Sequence, residues 1–92
     1  MGKVTLSGYI VVENEDLAAV KQALAEHKCL TLAESGCLVF DVTPTPGNPN
    51  RFDVYEEFVD RNAFEQHQAR TKASPWGKIT ANVARHYQIS GD

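Results

Sequence analysis

The sequence predicts an α+β fold in which four strands form one antiparallel sheet and two helices cover one of its faces. Three observations lead there. Apolar residues alternate with period two in four separate stretches. They recur at helical spacing in two further stretches. The order along the chain is strand, helix, strand, strand, helix, strand, a split β-α-β pattern. With 92 residues, the chain fits one domain, 1–92, because domains run from about 50 to 250 residues.

The first strand is expected over residues 3–12. Val4, Leu6, Gly8, Ile10 and Val12 share one face, and Thr5, Ser7, Tyr9 and Val11 share the other. A helix should follow, with Asn14 as N-cap and Glu15 and Asp16 in the first turn, where the helix dipole favours anions. Leu17, Val20, Leu24, His27 and Thr31 keep the helical period, and Gly36 is the natural stop. The second strand spans 37–43, with Leu38, Phe40 and Val42 on one face. The proline-rich segment 44–50 reads as an irregular hairpin loop. The third strand, 51–59, places Phe52, Val54, Glu56 and Phe58 together. Asp60 caps a second helix carrying Ala63, Phe64, His67 and Thr71 at helical spacing. Ser74 and Pro75 start a short helical turn, cap then proline. Residues 83–89 form the last strand. One antiparallel sheet with both helices on one face is the ferredoxin-like arrangement.

Composition removes several function classes. Hydrophobic residues are 42 % of the chain and charged residues 23 %, which excludes disorder. Nine Lys and Arg against twelve Asp and Glu leave a net charge of −3. Nucleic acid and anionic membrane surfaces call for a basic face and are excluded as partners. The longest apolar run, Tyr9 to Val12, is far short of the ~18 residues of a membrane span. Lys3 is the one early cation, and Ser7 and Gly8 interrupt the apolar run, so no signal peptide is expected and the protein is placed in the cytoplasm. Cys29 and Cys37 are then free thiols. There is no C-x-x-C and no H-x-x-x-H, so no metal site is expected. A chain of this length buries only roughly 60 % of its unfolded surface. Without a disulfide or a metal, self-association remains as support, and the uncovered sheet face is where a second copy would bind.

Candidate site residues are the polar groups set among apolar ones. Glu56 lies between Val54 and Phe58, where an ionised carboxylate needs a partner or its pKa rises. It reads either as a paired interface carboxylate or as a general base or orienter of a histidine. His67 follows Phe64 on the second helix and reads either as a partly buried histidine bonded to backbone or as a group for acid–base work near neutral pH. His27 makes the same claim more weakly, and His86 points outward. Trp76 and Tyr9 are candidates either for core or interface packing or for stacking on a flat substrate. Arg70 and Arg85 would neutralise an acidic ligand or pair with nearby carboxylates. No phosphate-binding glycine loop and no nucleophile elbow is present.

Three segments carry a family resemblance. Residues 34–42, Glu-Ser-Gly-Cys-Leu-Val-Phe-Asp-Val, resemble the E-x-G-C signature of the antibiotic biosynthesis monooxygenase (ABM) domain family. Residues 52–60 are similar to its F-x-hydrophobic-x-E-x-W/F-x-D strand, and residues 63–67 to its A-hydrophobic-x-x-H helix. They stand in family order, and the resemblance covers about residues 3–90. It implies a dimeric α/β barrel with a pocket between sheet and helices. It also implies oxidation of quinols or aromatic phenols by dioxygen without metal, flavin or haem. The family's strand glutamate falls on Glu56 and its helix histidine on His67. Haem-degrading relatives carry tryptophan near position 67 and histidine near position 76, the reverse of this chain. The first-strand asparagine of those relatives is absent as well, so haem is not expected.

The leading expectation is cofactor-independent oxidation of a hydroquinone-like substrate. His67 would take the phenol proton, Glu56 would orient His67, and Tyr9, His27 and Trp76 would contact the ring. An isomerase or processing enzyme for a small carbonyl or signalling metabolite, and a non-enzymatic ligand-binding dimer, are the alternatives. A pocket of ordinary ligand size bearing both Glu56 and His67 would favour an enzyme.

Overall fold

Alternation of buried and exposed residues builds the sheet. In the computed structural model, which describes residues 2–91, the first strand β1 (Val4–Val11) buries Val4, Leu6 and Ile10 while Thr5, Ser7 and Tyr9 remain partly open. The end residues 1 and 92 of the expected domain lie outside the described residues. Helix α1 (Leu17–Leu32) follows, then strands β2 (Cys37–Thr45) and β3 (Asn48–Phe58). Helices α2 (Arg61–Ala73) and α3 (Pro75–Ile79) lead to strand β4 (Ala84–Ser90). The strand order is β2-β3-β1-β4 and every pairing is antiparallel. This is the ferredoxin-like α+β fold expected from the sequence.

Four local expectations differ from the structure. Residues 44–50 are not an irregular loop. Pairing continues to Thr45 opposite Asn48, leaving Pro46 and Gly47, the latter at φ +81°, as the turn. Pro44 is tolerated because β2 is an edge strand. On β2, a register shift between Cys37 and Val39 exposes Leu38 at 51 % while Phe40 stays buried beside Glu56. The three-residue alternation read for Leu38, Phe40 and Val42 is therefore broken by a bulge. Asn14 does not cap α1. Its Oδ1 accepts from Asn50 Nδ2 of β3 at 2.8 Å, and residues Asn14–Asp16 form a 3-10 turn before the helix. Finally, α1 ends at Leu32, four residues before Gly36.

The expected caps at the second helix and the short turn are present. Asp60 Oδ1 accepts from the Ala63 amide at 2.8 Å, and Ser74 Oγ accepts from the Gly77 amide at 3.2 Å. Gly36 has a packing role instead of a capping one. A Cβ there would lie 2.4 Å from the Ala63 Cβ, so only glycine lets the start of α2 settle on the turn before β2. That contact fixes where His67, one turn further along α2, meets the loop holding Glu34. Phe52, Phe58, Leu6, Ile10 and Val20 form the fully buried centre, and Phe64 meets Phe58 edge-on at 5.6 Å.

The open sheet face is mixed in character. Tyr9 stacks on His86 at 4.7 Å, Arg51 lies 3.8 Å over the Tyr9 ring, and Arg51 also pairs with Asp53. Val11 and Tyr55 are exposed, and every residue of β4 is exposed. Among the described residues, no helix is long and apolar enough to cross a membrane.

Candidate functional site

Between the sheet and the helices lies a cavity of about 700 Å³, lined by residues of β1, α1, β3, α2, α3 and β4. Leu6 and Ile10 form apolar floor. His27, Glu56, His67, Trp76 and Tyr87 add the polar and aromatic groups. A volume in this range holds a small-molecule ligand. The sequence placed Glu56, His67, His27 and Trp76 as site residues, and all four line this one cavity.

Tyr9 does not join them. Its side chain lies on the opposite face of the sheet, against His86 and Arg51. Strand alternation is the reason: Leu6 and Ile10 point to the helices, so Tyr9 between them points away. Tyr9 is therefore withdrawn as a contact in this cavity. Trp76 is present but partly engaged. It stacks on His27 at 5.0 Å with the rings 7° apart, so that face of the indole is covered.

His67 is the most connected side chain at the site. It is 2 % exposed and packed beside Phe58 at 4.8 Å and His27 at 5.7 Å. Nδ1 lies 3.0 Å from Glu34 Oε1, and Nε2 lies 3.6 Å from Glu56 Oε1 and 3.4 Å from Thr71 Oγ1. The group on Nδ1 is thus Glu34, not Glu56, which corrects the expectation that Glu56 orients the ring. Glu34 in turn accepts from Arg70 Nε, and Arg70 Nη2 donates to the buried Thr31 Oγ1 at 2.9 Å. Thr31, Glu34, Arg70, His67 and Glu56 form a continuous polar chain from α1 to the cavity. Arg70 follows the pairing alternative read for it. Arg85 donates to the Thr80 carbonyl instead of pairing with a carboxylate.

Burial dominates the electrostatics. Glu56, 7 % exposed, has its pKa raised to about 7 by desolvation and secondarily by the Glu34 charge. Its Oε1 is buried without a hydrogen-bond partner. His27 is lowered to about 4, first by burial and then by repulsion from His67 and Arg70. Its Nδ1 is also without a partner. Burial lowers His67 as well, opposed by Glu34. Tyr87, exposed as a residue, is pushed up to about 12 by desolvation of its hydroxyl and by Glu56. A carboxyl titrating near neutrality beside an imidazole is suited to accept and return a proton.

Glu34 and Tyr87 are site residues beyond those expected from the sequence. Glu34 stood in view as the first residue of the E-x-G-C motif, and that motif was its one signal. Among the described residues, no three His, Cys, Asp or Glu side chains are grouped to hold a metal ion. A second, more open groove of about 510 Å³ reaches Glu34 and Arg70 from outside, along Gly36, Asp60 and Gln66.

A model of the antibiotic biosynthesis monooxygenase family matches residues 4–76. The chain belongs to this family. Solved structures agree on the fold. A Nitrosomonas europaea protein provisionally named an antibiotic biosynthesis monooxygenase is 26 % identical, with a TM-score of 0.82 over 98 % of this chain and 97 % of that one. A conserved protein from Methanosarcina mazei is 19 % identical, with a TM-score of 0.78 over 98 % and 92 %. A Caulobacter crescentus protein, also provisionally named an antibiotic biosynthesis monooxygenase, is 16 % identical, with a TM-score of 0.77 over 97 % and 88 %. Among curated proteins, none is similar enough in sequence to match.

Proposed function

We propose that this ABM protein is a monooxygenase that oxidises a hydroquinone-like phenol with dioxygen and needs no metal, flavin or haem. The observation that supports it is the pairing of Glu56, poised near neutrality, with His67 in a cavity of about 700 Å³. The substrate hydroxyl gives its proton to this pair in its deprotonated form, which a Glu56 titrating near 7 makes available. The electron-rich anion passes one electron to dioxygen, and the two radicals combine to form a carbon–oxygen bond. Loss of water, with the proton returned by the pair, leaves a hydroxylated quinone. One oxygen atom stays on the ring and the other leaves as water, so the substrate supplies every electron that dioxygen takes up. Leu6, Ile10 and Trp76 keep bulk water from the intermediate.

Oxygen uptake by the purified protein across a panel of quinols and phenols tests the reading, with His67→Ala beside it. The variant should lose roughly 10²- to 10⁴-fold in rate; unchanged uptake would rule out His67 as part of the base. Glu56 in an apolar cavity also suits enolisation of a small carbonyl compound. Turnover that persists under strict anaerobiosis would select that second reading. The pairing of Glu56 with His67 in this cavity favours an enzyme over a purely ligand-binding dimer.

A homodimer through the open sheet face is part of the same reading. The exposed Val11 and Tyr55 on that face and the uncovered β4 support it. Sedimentation that stays at the monomer mass at all concentrations would exclude it. Free thiols at Cys29 and Cys37 fit a cytoplasmic location.

A further inference from the structure

We propose that Glu34, gripped by Arg70, is the positioning residue for His67: it holds the ring proton on Nδ1 and turns the Nε2 lone pair toward Glu56, so that His67 and Glu56 share a single proton at the floor of the cavity. The proposal deepens the functional reading above and rests on it for the use made of that proton, but the arrangement itself needs no substrate.

Glu34 meets His67 as an acceptor. One of its oxygens takes a hydrogen bond from the Arg70 guanidinium, and the other lies 3.0 Å from Nδ1. A carboxylate offers only lone pairs, so the hydrogen of this contact is on Nδ1. A neutral imidazole then has a bare lone pair at Nε2. Glu56 Oε1 faces it at 3.6 Å and is buried without any other partner. Two lone pairs opposed at that distance, out of water, are unfavourable. One proton between them removes the conflict, carried either as Glu56 Oε1–H donating to Nε2 or as the imidazolium donating to the carboxylate. The Thr71 hydroxyl, 3.4 Å from Nε2, is the other donor within reach, but it leaves Glu56 Oε1 unsatisfied.

The opposite tautomer would do something different. With the proton on Nε2 and none on Nδ1, His67 would donate permanently to Glu56, and Glu34 would face a second lone pair. The site would have a hydrogen-bonded carboxylate and no shared, exchangeable proton. Arg70 makes this arrangement costly because it holds Glu34 and Thr31 together across α1 and α2. The other titratable groups facing the pair are His27 from α1, Cys37 from β2 and Tyr87 from β4. Burial keeps His27 neutral, and it raises both Cys37 and Tyr87, so none of the three supplies a competing charge near neutral pH.

Nitrogen-15 NMR of the histidine side chains in the whole, substrate-free protein tests this, with the His67 signals assigned by their loss in His67→Gln. In the wild type, neutral His67 should carry its proton on Nδ1. In Glu34→Gln, whose amide can donate as well as accept, His67 should become a mixture of tautomers. The Glu56 titration, followed by carboxyl carbon shifts, should move down by roughly one pH unit once the Glu34 charge is gone. A wild-type ring protonated on Nε2 overturns the proposal, as does a Glu34→Gln protein with tautomer and Glu56 midpoint both unchanged. If Glu34→Gln does not fold, the wild-type spectrum alone decides. No substrate enters the measurement, so a negative oxygen-uptake screen and a wrong tautomer are separate failures.

Discussion

Replacing Glu56 by Gln should abolish the chemistry and stabilise the fold at alkaline pH. Glu56 is 7 % exposed, and its pKa is raised from 4.5 to about 7, mainly by burial. In the unfolded chain the carboxyl releases its proton near 4.5, whereas in the folded protein it holds it until about 7. Between these values the native state binds one more proton than the unfolded state, so stability falls as pH rises. The displacement corresponds to about 3 kcal/mol, at about 1.4 kcal/mol for each pH unit. The loss is absent below about 4.5 and complete above about 7. Glutamine keeps the shape of the protonated carboxyl and cannot ionise, so the variant should escape the loss. The assay is urea unfolding of both proteins at matched concentration at pH 4.5 and pH 8. The variant's advantage should grow by about 3 kcal/mol between the two conditions. Taking the difference at each pH cancels groups common to both proteins, His27 included. An advantage of the same size at both values would show that Glu56 is not buried in the way described.

Three further outcomes are expected. His27, lowered to about 4, costs the fold stability as pH falls from about 6.5 toward 4, because the unfolded chain takes up a proton that the native state refuses; His27→Gln should flatten that acid decline in a thermal-unfolding series. Gly36→Ala should destabilise by roughly 1–3 kcal/mol through overpacking against Ala63, and should weaken the contact between Glu34 and His67, seen as a change in the His67 NMR signals. Asp60→Ala removes the cap of α2 and should cost about 1 kcal/mol in denaturant unfolding with the sheet intact.

Much of this architecture was legible because periodicity is a local property. The β-α-β-β-α-β order, the Asp60 and Ser74 caps and the burial of Glu56 between Val54 and Phe58 all follow from residues within a few positions of one another. The errors arose where a distant strand competed for a local group. Asn14 had the right side chain to cap α1, but Asn50 from β3 holds its oxygen. Residue type alone groups Tyr9 with Trp76, whereas strand alternation puts it opposite Leu6 and Ile10. The group on His67 Nδ1 comes from the turn before β2, not from the strand that carries Glu56.

By itself, the sequence determined the order of the elements, the faces that β1 and β3 turn to the helices, and the residue types, His27, Glu56, His67 and Trp76, that were candidates for a site. Only the tertiary structure decided which group holds His67. The docking of α2 against Gly36 brings Arg70 and His67 onto Glu34 across more than thirty residues of chain. The same packing closes apolar walls around Glu56 and takes it out of water, which is what lifts an ordinary carboxyl to the edge of neutrality. A pKa is set by desolvation and by charges brought together in space, and neither exists until the chain has folded.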